Sequence, residues 1–336
     1  VMLSVVIVNY HSSDFVRRST AAVDPTWCER VVLVDNSNDP VEAERLASIR
    51  LPVPTKIIIE PSNVGFGVGA NHGIDFALGA APNSSVWLLN PDTEPAAGAP
   101  ESLVRRLSLG LDDIVSPLVL TGDSGDSGDE RIWFAGGVAD GRTGNVAHDD
   151  YLKPYDPTTI DEARPTTFMC GAAPVFTPEA WRRLRGFRED LFLYWEDVEL
   201  SLRAQDLGLR MTVIRDASVW HAVGGTSDET GQSRNFYYYS ARNRVRVMID
   251  RGSGLELLRP RGLRELAKFA LRPLRRERSQ RLRKTCLALT GYVVGALSTR
   301  LSRDHHHVAV TVPALPSSKT AEGPAAHTSA EDRPPV

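Results

Sequence analysis

The first half of the chain alternates short runs of β-branched and aliphatic residues with longer helix-like segments, and this rhythm restricts the fold more than any other feature. The runs fall at 3–8, 31–34, 56–59, 86–89 and 114–119. Strands separated by helix-length segments predict a mostly parallel sheet covered by helices. The runs are continuously apolar, as expected of strands buried on both faces. Polar residues follow three of them at once: Asn9-Tyr10-His11, Asp35-Asn36-Ser37 and Asn90-Pro91-Asp92. Ligands of open α/β sheets bind beyond the carboxyl ends of the strands, so these are the first candidate site residues.

The second half is mixed. A Gly-rich, hairpin-like stretch covers 131–146 and a strand-like run covers 166–176. A helix begins near Trp195, a strand follows at 209–214 and a further helix at about 235–249. No internal repeat is found. Residues 304–336, rich in Pro, Ala and Ser, read as a disordered tail. The expected organisation is one domain over 1–250, in two halves at about 1–120 and about 121–250. A basic helical segment, 251–303, follows it.

Charge sharpens that division. The 336 residues carry a net charge of −3, yet between residues 259 and 303 there are 13 Lys and Arg against 2 Asp and Glu, a local +11 that leaves −14 elsewhere. In this segment Leu263, Leu266, Ala267, Ala270, Leu271 and Leu274 recur at helical spacing beside Arg261, Arg264, Lys268, Arg272, Arg275 and Arg276, with Pro273 a candidate kink. Such a helix lies on an anionic bilayer surface, or packs on the domain with a solvated basic face. No nucleic-acid motif accompanies the charge, so no nucleic-acid partner is expected. The apolar stretch 286–297 is too short to span a bilayer. No signal peptide is recognisable, and Cys28, Cys170 and Cys286 are too scattered for a disulfide framework or structural zinc. The expected location is the cytoplasm, peripheral to the inner face of the membrane.

Five constellations carry chemistry. Asp35, directly after its strand, offers a carboxylate to a pyrimidine N3–H or a ribose hydroxyl, or makes an Asx-turn. NVGFGVGANHG, 63–73, opens a helix whose glycines permit close approach and whose N-terminal N–H groups attract phosphate. A dinucleotide site would place such a loop after the first strand, which argues against a dehydrogenase. LLNPDTE, 88–94, puts Asp92 in a turn where its oxygens suit Mg2+ or Mn2+. LFLYWEDVELSLR sets Glu196 and Asp197 in a helical first turn, where the dipole favours ionised acids, as a general base requires. Trp195 and its aromatic neighbours are a candidate sugar platform. VWHAVGGTS places His221 on a glycine-rich loop.

In order and spacing, SVVIVNY, VVLVDNSND, NVGFGVGANHG, LLNPDTE, FMCGAAPVF, GFREDLFLYWEDVELSLR, VWHAVGGTS and YYYSARNR resemble the inverting family 2 glycosyltransferases, over roughly residues 3–248. WEDVELSLR, the H-x-x-G-G-x-S loop and the ARNR helix are similar to bacterial rhamnosyltransferases of polysaccharide and cell-wall assembly. The resemblance implies a GT-A fold: a mostly parallel mixed sheet flanked by helices, here followed by the basic helical segment. It implies a divalent cation, Mg2+ or Mn2+, on Asp92 and His221. Asp197 would be the base and Glu196 an acceptor-side or supporting carboxylate, with Trp195 also on the acceptor side. Asn9, Tyr10, Asp35, Asn63, Gly65, Asn71, Asn90 and Asp92 would contact the nucleotide-sugar. The implied reaction moves a sugar, L-rhamnose from dTDP-L-rhamnose first, onto a saccharide or polyprenyl-diphosphate-linked acceptor. A UDP-sugar donor (galactofuranosyl or hexosyl) and a non-catalytic nucleotide-sugar-binding protein are the alternatives. Two positions depart from the family pattern: Asn90 replaces the first acid of D-x-D, and Asn9-Tyr10-His11 replaces T-Y-N. The chain lacks the basic triphosphate loop of a nucleotidyltransferase, and a retaining glycosidase would not need the nucleotide-site blocks.

Overall fold

The computed structural model describes residues 1–122, 130–222 and 231–303. The expected tail from 304 onward and the V223–S227 part of the loop after His221 lie outside the described residues. The chain runs β1 (Leu3–Asn9), α1 (Ser13–Ser19), β2 (Cys28–Asp35), α2 (Pro40–Ala47), β3 (Thr55–Ile59), α3 (Phe66–Ala80), β4 (Ser85–Leu89), β5 (Thr93–Pro95), α4 (Ala99–Ser108) and β6 (Ile114–Thr121). There follow β7 (Arg131–Phe134), β8 (Gly137–Asp140), β9 (Asn145–His148), β10 (Ala163–Pro165), β11 (Val175–Phe176), α5 (Pro178–Leu184), α6 (Glu196–Asp206), β12 (Met211–His221), α7 (Arg234–Asp250), α8 (Pro260–Arg276) and α9 (Arg281–Arg303).

The main sheet has the order β10-β12-β6-β11-β4-β1-β2-β3, with β5 added to β12 and β7 to β6. Strands β1, β2, β3 and β4 pair in parallel, as do β6 and β12; β11 enters antiparallel between β4 and β6. This is the α/β class with a mostly parallel mixed sheet that the strand–helix rhythm predicts.

Side chains alternate faces along a strand. Val6, Val8, Val32, Val34, Val86 and Leu88 join Ala70, Ile74 and Ala77 of α3 in one core. Their neighbours Val5, Ile7, Val31, Leu33, Trp87 and Leu89 join Val16 of α1, Leu46 of α2 and Leu103 of α4 in the other. Both faces are dry, which is why these strands read as unbroken apolar runs. The run at 56–59 is the exception: β3 is an edge strand, and Ile59 is exposed.

Three expectations change. Of the strand-like 166–176 only β11 is a strand, because Pro174 has no N–H to continue a ladder and this segment meets β4 through isolated bonds, Leu88 N–H to the Pro174 carbonyl and Asn90 N–H to the Ala172 carbonyl. The strand expected at 209–214 runs on to His221, which is therefore the last residue of β12 and not part of a loop. Pro273 does not end α8, since it lies in the last turn.

Helices α8 and α9 pack against α7. Gly291 and Gly295 of α9 lie directly on the α7 backbone: a Cβ on either would stand 2.4 Å from the Tyr238 carbonyl oxygen or 2.3 Å from that of Arg242. Between the two helices, buried Glu277 accepts hydrogen bonds from Tyr237 Oη (2.8 Å), Lys284 Nζ (2.9 Å) and the Gln232 N–H (3.2 Å). Burial raises the Glu277 carboxyl, but these donors outweigh it and leave the group below its ordinary value.

Candidate active site

The carboxyl ends of β1, β2 and β4 and the end of β12 gather the polar residues singled out above. At β1 and β2, buried Asn9 donates through Nδ2 to Asp35 Oδ1 (3.3 Å) and Glu42 Oε1 (3.0 Å). Glu42 also accepts from the Ser13 N–H (2.8 Å) and hydroxyl (3.0 Å). Burial raises the Glu42 carboxyl, and this set of donors more than reverses it. The ionised Glu42 thus orients Asn9, and Asn9 orients Asp35. Asp35 Oδ1 further accepts from the Ser37 N–H (3.0 Å), while Asp35 Oδ2 and Asn36 Oδ1 are buried acceptors without a partner among the described residues. Buried acceptors are nearly always satisfied in native proteins, so an unfilled pair beyond a strand end suits an N–H or hydroxyl donor from a ligand. Tyr10 is exposed beside them, its ring edge-on to His11 at 4.7 Å.

The α3 entrance is shaped by packing. Asn63 accepts the Gly65 N–H through its side chain (3.0 Å). Gly65 has φ +90°, and a Cβ there would lie 2.2 Å from the Phe192 carbonyl oxygen. That carbonyl accepts the first helical N–H, from Phe66, at 3.0 Å. Asn71 spends its side chain on Phe187, accepting its N–H (2.7 Å) and donating to its carbonyl (2.9 Å). In the structure this motif fastens α3 to the 187–192 segment that leads into Asp197.

Asp92 and His221 are brought together by β5. Thr93 pairs with His221 in the β5–β12 register, and Ala222 donates its N–H to the Asp92 carbonyl (3.0 Å). Asp92 Oδ1 then lies 3.2 Å from His221 Nε2, with both side chains more than nine-tenths buried. Two ligands about 2.1 Å from one ion at a right angle stand about 3 Å apart, so the pair fits a shared divalent cation. The other ring nitrogen, His221 Nδ1, is buried without a hydrogen-bond partner among the described residues. Asn90 stays at the end of β4, its carbonyl taking the Thr93 N–H (3.2 Å). Among the described residues no group of three or more His, Cys, Asp and Glu could hold a metal.

Asp197 is reached from the same strand end. Asn90 N–H bonds the Ala172 carbonyl (2.8 Å), and the preceding Gly171 donates its N–H to Asp197 Oδ2 (3.1 Å). Val198 N–H donates to Asp197 Oδ1 (2.7 Å). Burial raises the Asp197 carboxyl above its ordinary value, an effect moderated by these N–H groups and by the nearby His148. Glu196 is turned inward and buried, with Oε2 unpartnered; burial, then the charge of Asp197, pushes it well up. Within the pair, Asp197 has N–H donors from Gly171 and Val198 on both oxygens, and Glu196 is the less favoured as an anion.

Three further residues line or brace the site. Trp133 of β7 meets His221 edge-to-face at 4.6 Å and His148 at 5.4 Å, so it links the Asp92–His221 pair to His148. His148, at the end of β9, bonds the Trp133 carbonyl through Nδ1 (2.9 Å). The third, Asn243, lies in the ARNR helix. Tyr194 and half-buried Trp195 have φ of +63° and +74°, a left-handed pair that is costly for residues with a Cβ. Fully buried Asn243 donates through Nδ2 to the carbonyls of Leu193 (3.0 Å) and Tyr194 (2.7 Å), holding the turn from which Glu196 and Asp197 emerge. Asn243→Ala is expected to lower kcat roughly 10²-fold, the cost of misplacing a catalytic group by about 1 Å, with donor affinity unchanged. Parallel steady-state kinetics and nucleotide titrations check this.

A mostly parallel mixed sheet with its polar residues at the carboxyl edge, an Asp–His pair on one side and the Glu196–Asp197 pair on the other, has a GT-A architecture. The model of glycosyl transferase family 2 matches residues 4–173, half of the chain, and the protein belongs to that family. The crystal structure of GalNAc-T7 with UDP, GalNAc and Mn2+ is similar at TM-score 0.55 and 18% identity, over 80% of this chain and 54% of that one. The chain thus spans about half the length of that protein. S. aureus TarS 1–349 aligns at TM-score 0.46 and 15% identity, over 90% of this chain and 92% of that one. No curated protein matches the chain.

Proposed function

We propose that the protein is an inverting, metal-assisted glycosyltransferase that moves a sugar from a pyrimidine nucleoside diphosphate to an acceptor hydroxyl. The observation that carries this reading is the 3.2 Å Asp92–His221 contact, joined through Trp133 and His148 to the Asp197 side of the site. Asp35 Oδ2 is the acceptor for the base N3–H, a group that UDP and dTDP share. UDP and Mn2+ accompany GalNAc-T7 in its crystal structure, which supports the same donor class here. Asp92 and His221 would hold the cation; the nitrogen ligand favours Mn2+ over Mg2+, which prefers oxygen. Bound there, the ion supplies positive charge for the leaving diphosphate.

Asp197 takes the acceptor hydroxyl proton as that oxygen bonds the anomeric carbon and the bond to the diphosphate oxygen breaks. One displacement inverts the carbon. Asn9, Tyr10, Asn63, Gly65, Asn71 and Asn90 shape the donor side, with Asn71 and Gly65 acting through α3. Trp195 and Trp133 face the acceptor side, and buried Glu196 supports its neighbour. The donor we favour is dTDP-L-rhamnose, ahead of UDP-galactofuranose and UDP-hexoses, and the acceptor is a saccharide or a polyprenyl-diphosphate-linked sugar. A screen of dTDP-, UDP- and GDP-sugars, scoring nucleotide release and binding, tests the proposal. Release from dTDP-rhamnose alone is the expected result. Tight binding without turnover of any donor would make the chain a nucleotide-sugar-binding protein.

A further inference from the structure

Helix α8 carries one broad apolar stripe that its neighbours only half cover. Ala270 and Pro273 are buried, and Leu266 and Phe269 are packed towards α7 and α9. Leu263, Leu271 and Leu274 lie along the uncovered margin of that stripe and are 49%, 41% and 38% exposed. Helix α9 has an uncovered apolar row of its own. It buries Ala288, Gly291 and Gly295, while Leu282, Leu289, Val293 and Leu297 form an outward row that is 74%, 51%, 58% and 55% exposed. Exposed Cys286 stands in the same row, between Leu282 and Leu289. Single exposed leucines are ordinary, but ordered rows on two neighbouring helices are not.

The charge around the rows identifies what covers them. Arg261, Arg264, Arg275 and Arg276 are exposed along α8, within the segment whose 13 Lys and Arg oppose 2 Asp and Glu. A second copy docked on this surface would bring two cationic rims together, and a nucleic acid would not cover leucines. Leucine rows rimmed by arginine match an anionic bilayer, where acyl chains take the apolar rows and headgroups take the cations. No helix among the described residues is long and apolar enough to cross a membrane.

We infer that the outward faces of α8 and α9 dock the protein on an anionic lipid surface, with the helices lying in the plane of the interface. The inference deepens the proposed function, because a lipid-linked acceptor would be presented there. It rests on separate residues and is tested without donor or acceptor.

Cys28 and Cys170 are buried, so a polarity-sensitive thiol probe on the full chain reports from Cys286. Adding vesicles of phosphatidylcholine with phosphatidylglycerol should shift its emission to the blue and carry the protein into the pellet. Pure phosphatidylcholine should do neither, and raised salt should weaken binding. Arg264→Gln with Arg275→Gln should lower partitioning about 25-fold, at about fivefold for each cation removed. Leu289→Asp with Val293→Asp should abolish the shift while nucleotide binding persists, which separates a lost surface from a lost fold. Equal recovery in the supernatant with both lipids overturns the inference. So does a probe already blue-shifted without lipid, since another part of the chain or a second copy would then cover the row.

Discussion

Asp197→Asn should turn over substrate roughly 10²–10⁴-fold more slowly than the parent, the range expected when a general base is lost. The substitution keeps the acceptors that take the Gly171 and Val198 N–H groups only in part, since an amide has one oxygen where the carboxylate has two. A modest loss of stability should accompany the loss of rate, and donor binding should hardly change. The parent enzyme should show a matching pH dependence. Only the ionised base accepts a proton, and burial raises its carboxyl, so kcat should rise with pH through a limb lying above the ordinary carboxylate range. The variant should lose that limb. Glu196→Gln should be milder, because Glu196 is buried and keeps an oxygen without a partner. Near-normal turnover in Asp197→Asn together with inactivity in Glu196→Gln would reverse the two roles. Rate against pH for the parent and both variants decides it.

His221→Ala should cost about 10²–10³-fold in turnover, the usual loss when one stabiliser of developing negative charge is removed. A measurement without turnover is more telling. Asp92 and His221 would supply two ligands in the proposed site, while hard divalent ions take about six, so there the nucleotide diphosphate would join the shell. Cation and nucleotide should therefore each raise the other's affinity by the same factor. Calorimetric titration of the parent with UDP or dTDP should show tighter binding when Mn2+ is present. In His221→Ala, and in Asp92→Ala, that gain should vanish while metal-free nucleotide affinity survives. Undiminished Mn2+ linkage in both variants would remove the pair from the metal site, and full parent activity in excess chelator would remove the metal from the reaction.

Much of the donor half is written locally. Runs such as VVIVN and VVLVD are apolar enough to bury both faces, and the polar residue after each can only sit at a strand end. Asn9, Asp35 and Asp92 follow from that pattern alone. The acidic first turn of α6 is equally local, because a helix N-terminus favours carboxylates. The role of NVGFGVGANHG was less legible: its glycines and helix N-terminus read as a phosphate loop and Asn71 as a donor contact implied by the resemblance, and the structure adds that Gly65 and Asn71 meet the backbone of Phe192 and Phe187, more than 110 residues away. Trp133, His148 and Asn243 were not legible as site residues, because nothing in their neighbours in sequence tells which strand end or turn they meet.

The chain by itself determined the strand–helix alternation of the first half, the burial of its central strands on both faces and the chemical types present at the sheet edge, since each depends on periodicity and composition within a few residues. Tertiary structure decided the partnerships. The antiparallel addition of β5 to β12 sets Asp92 against His221, and the 171–172 segment carries Asp197 to the end of β4. Asn243 on α7 steadies the left-handed turn before α6, and the packing of α9 through Gly291 and Gly295 leaves its leucine row outward. Each of these is a hydrogen bond or close contact between residues far apart in the chain, and its energy exists only when the whole sheet has brought both partners to the same place.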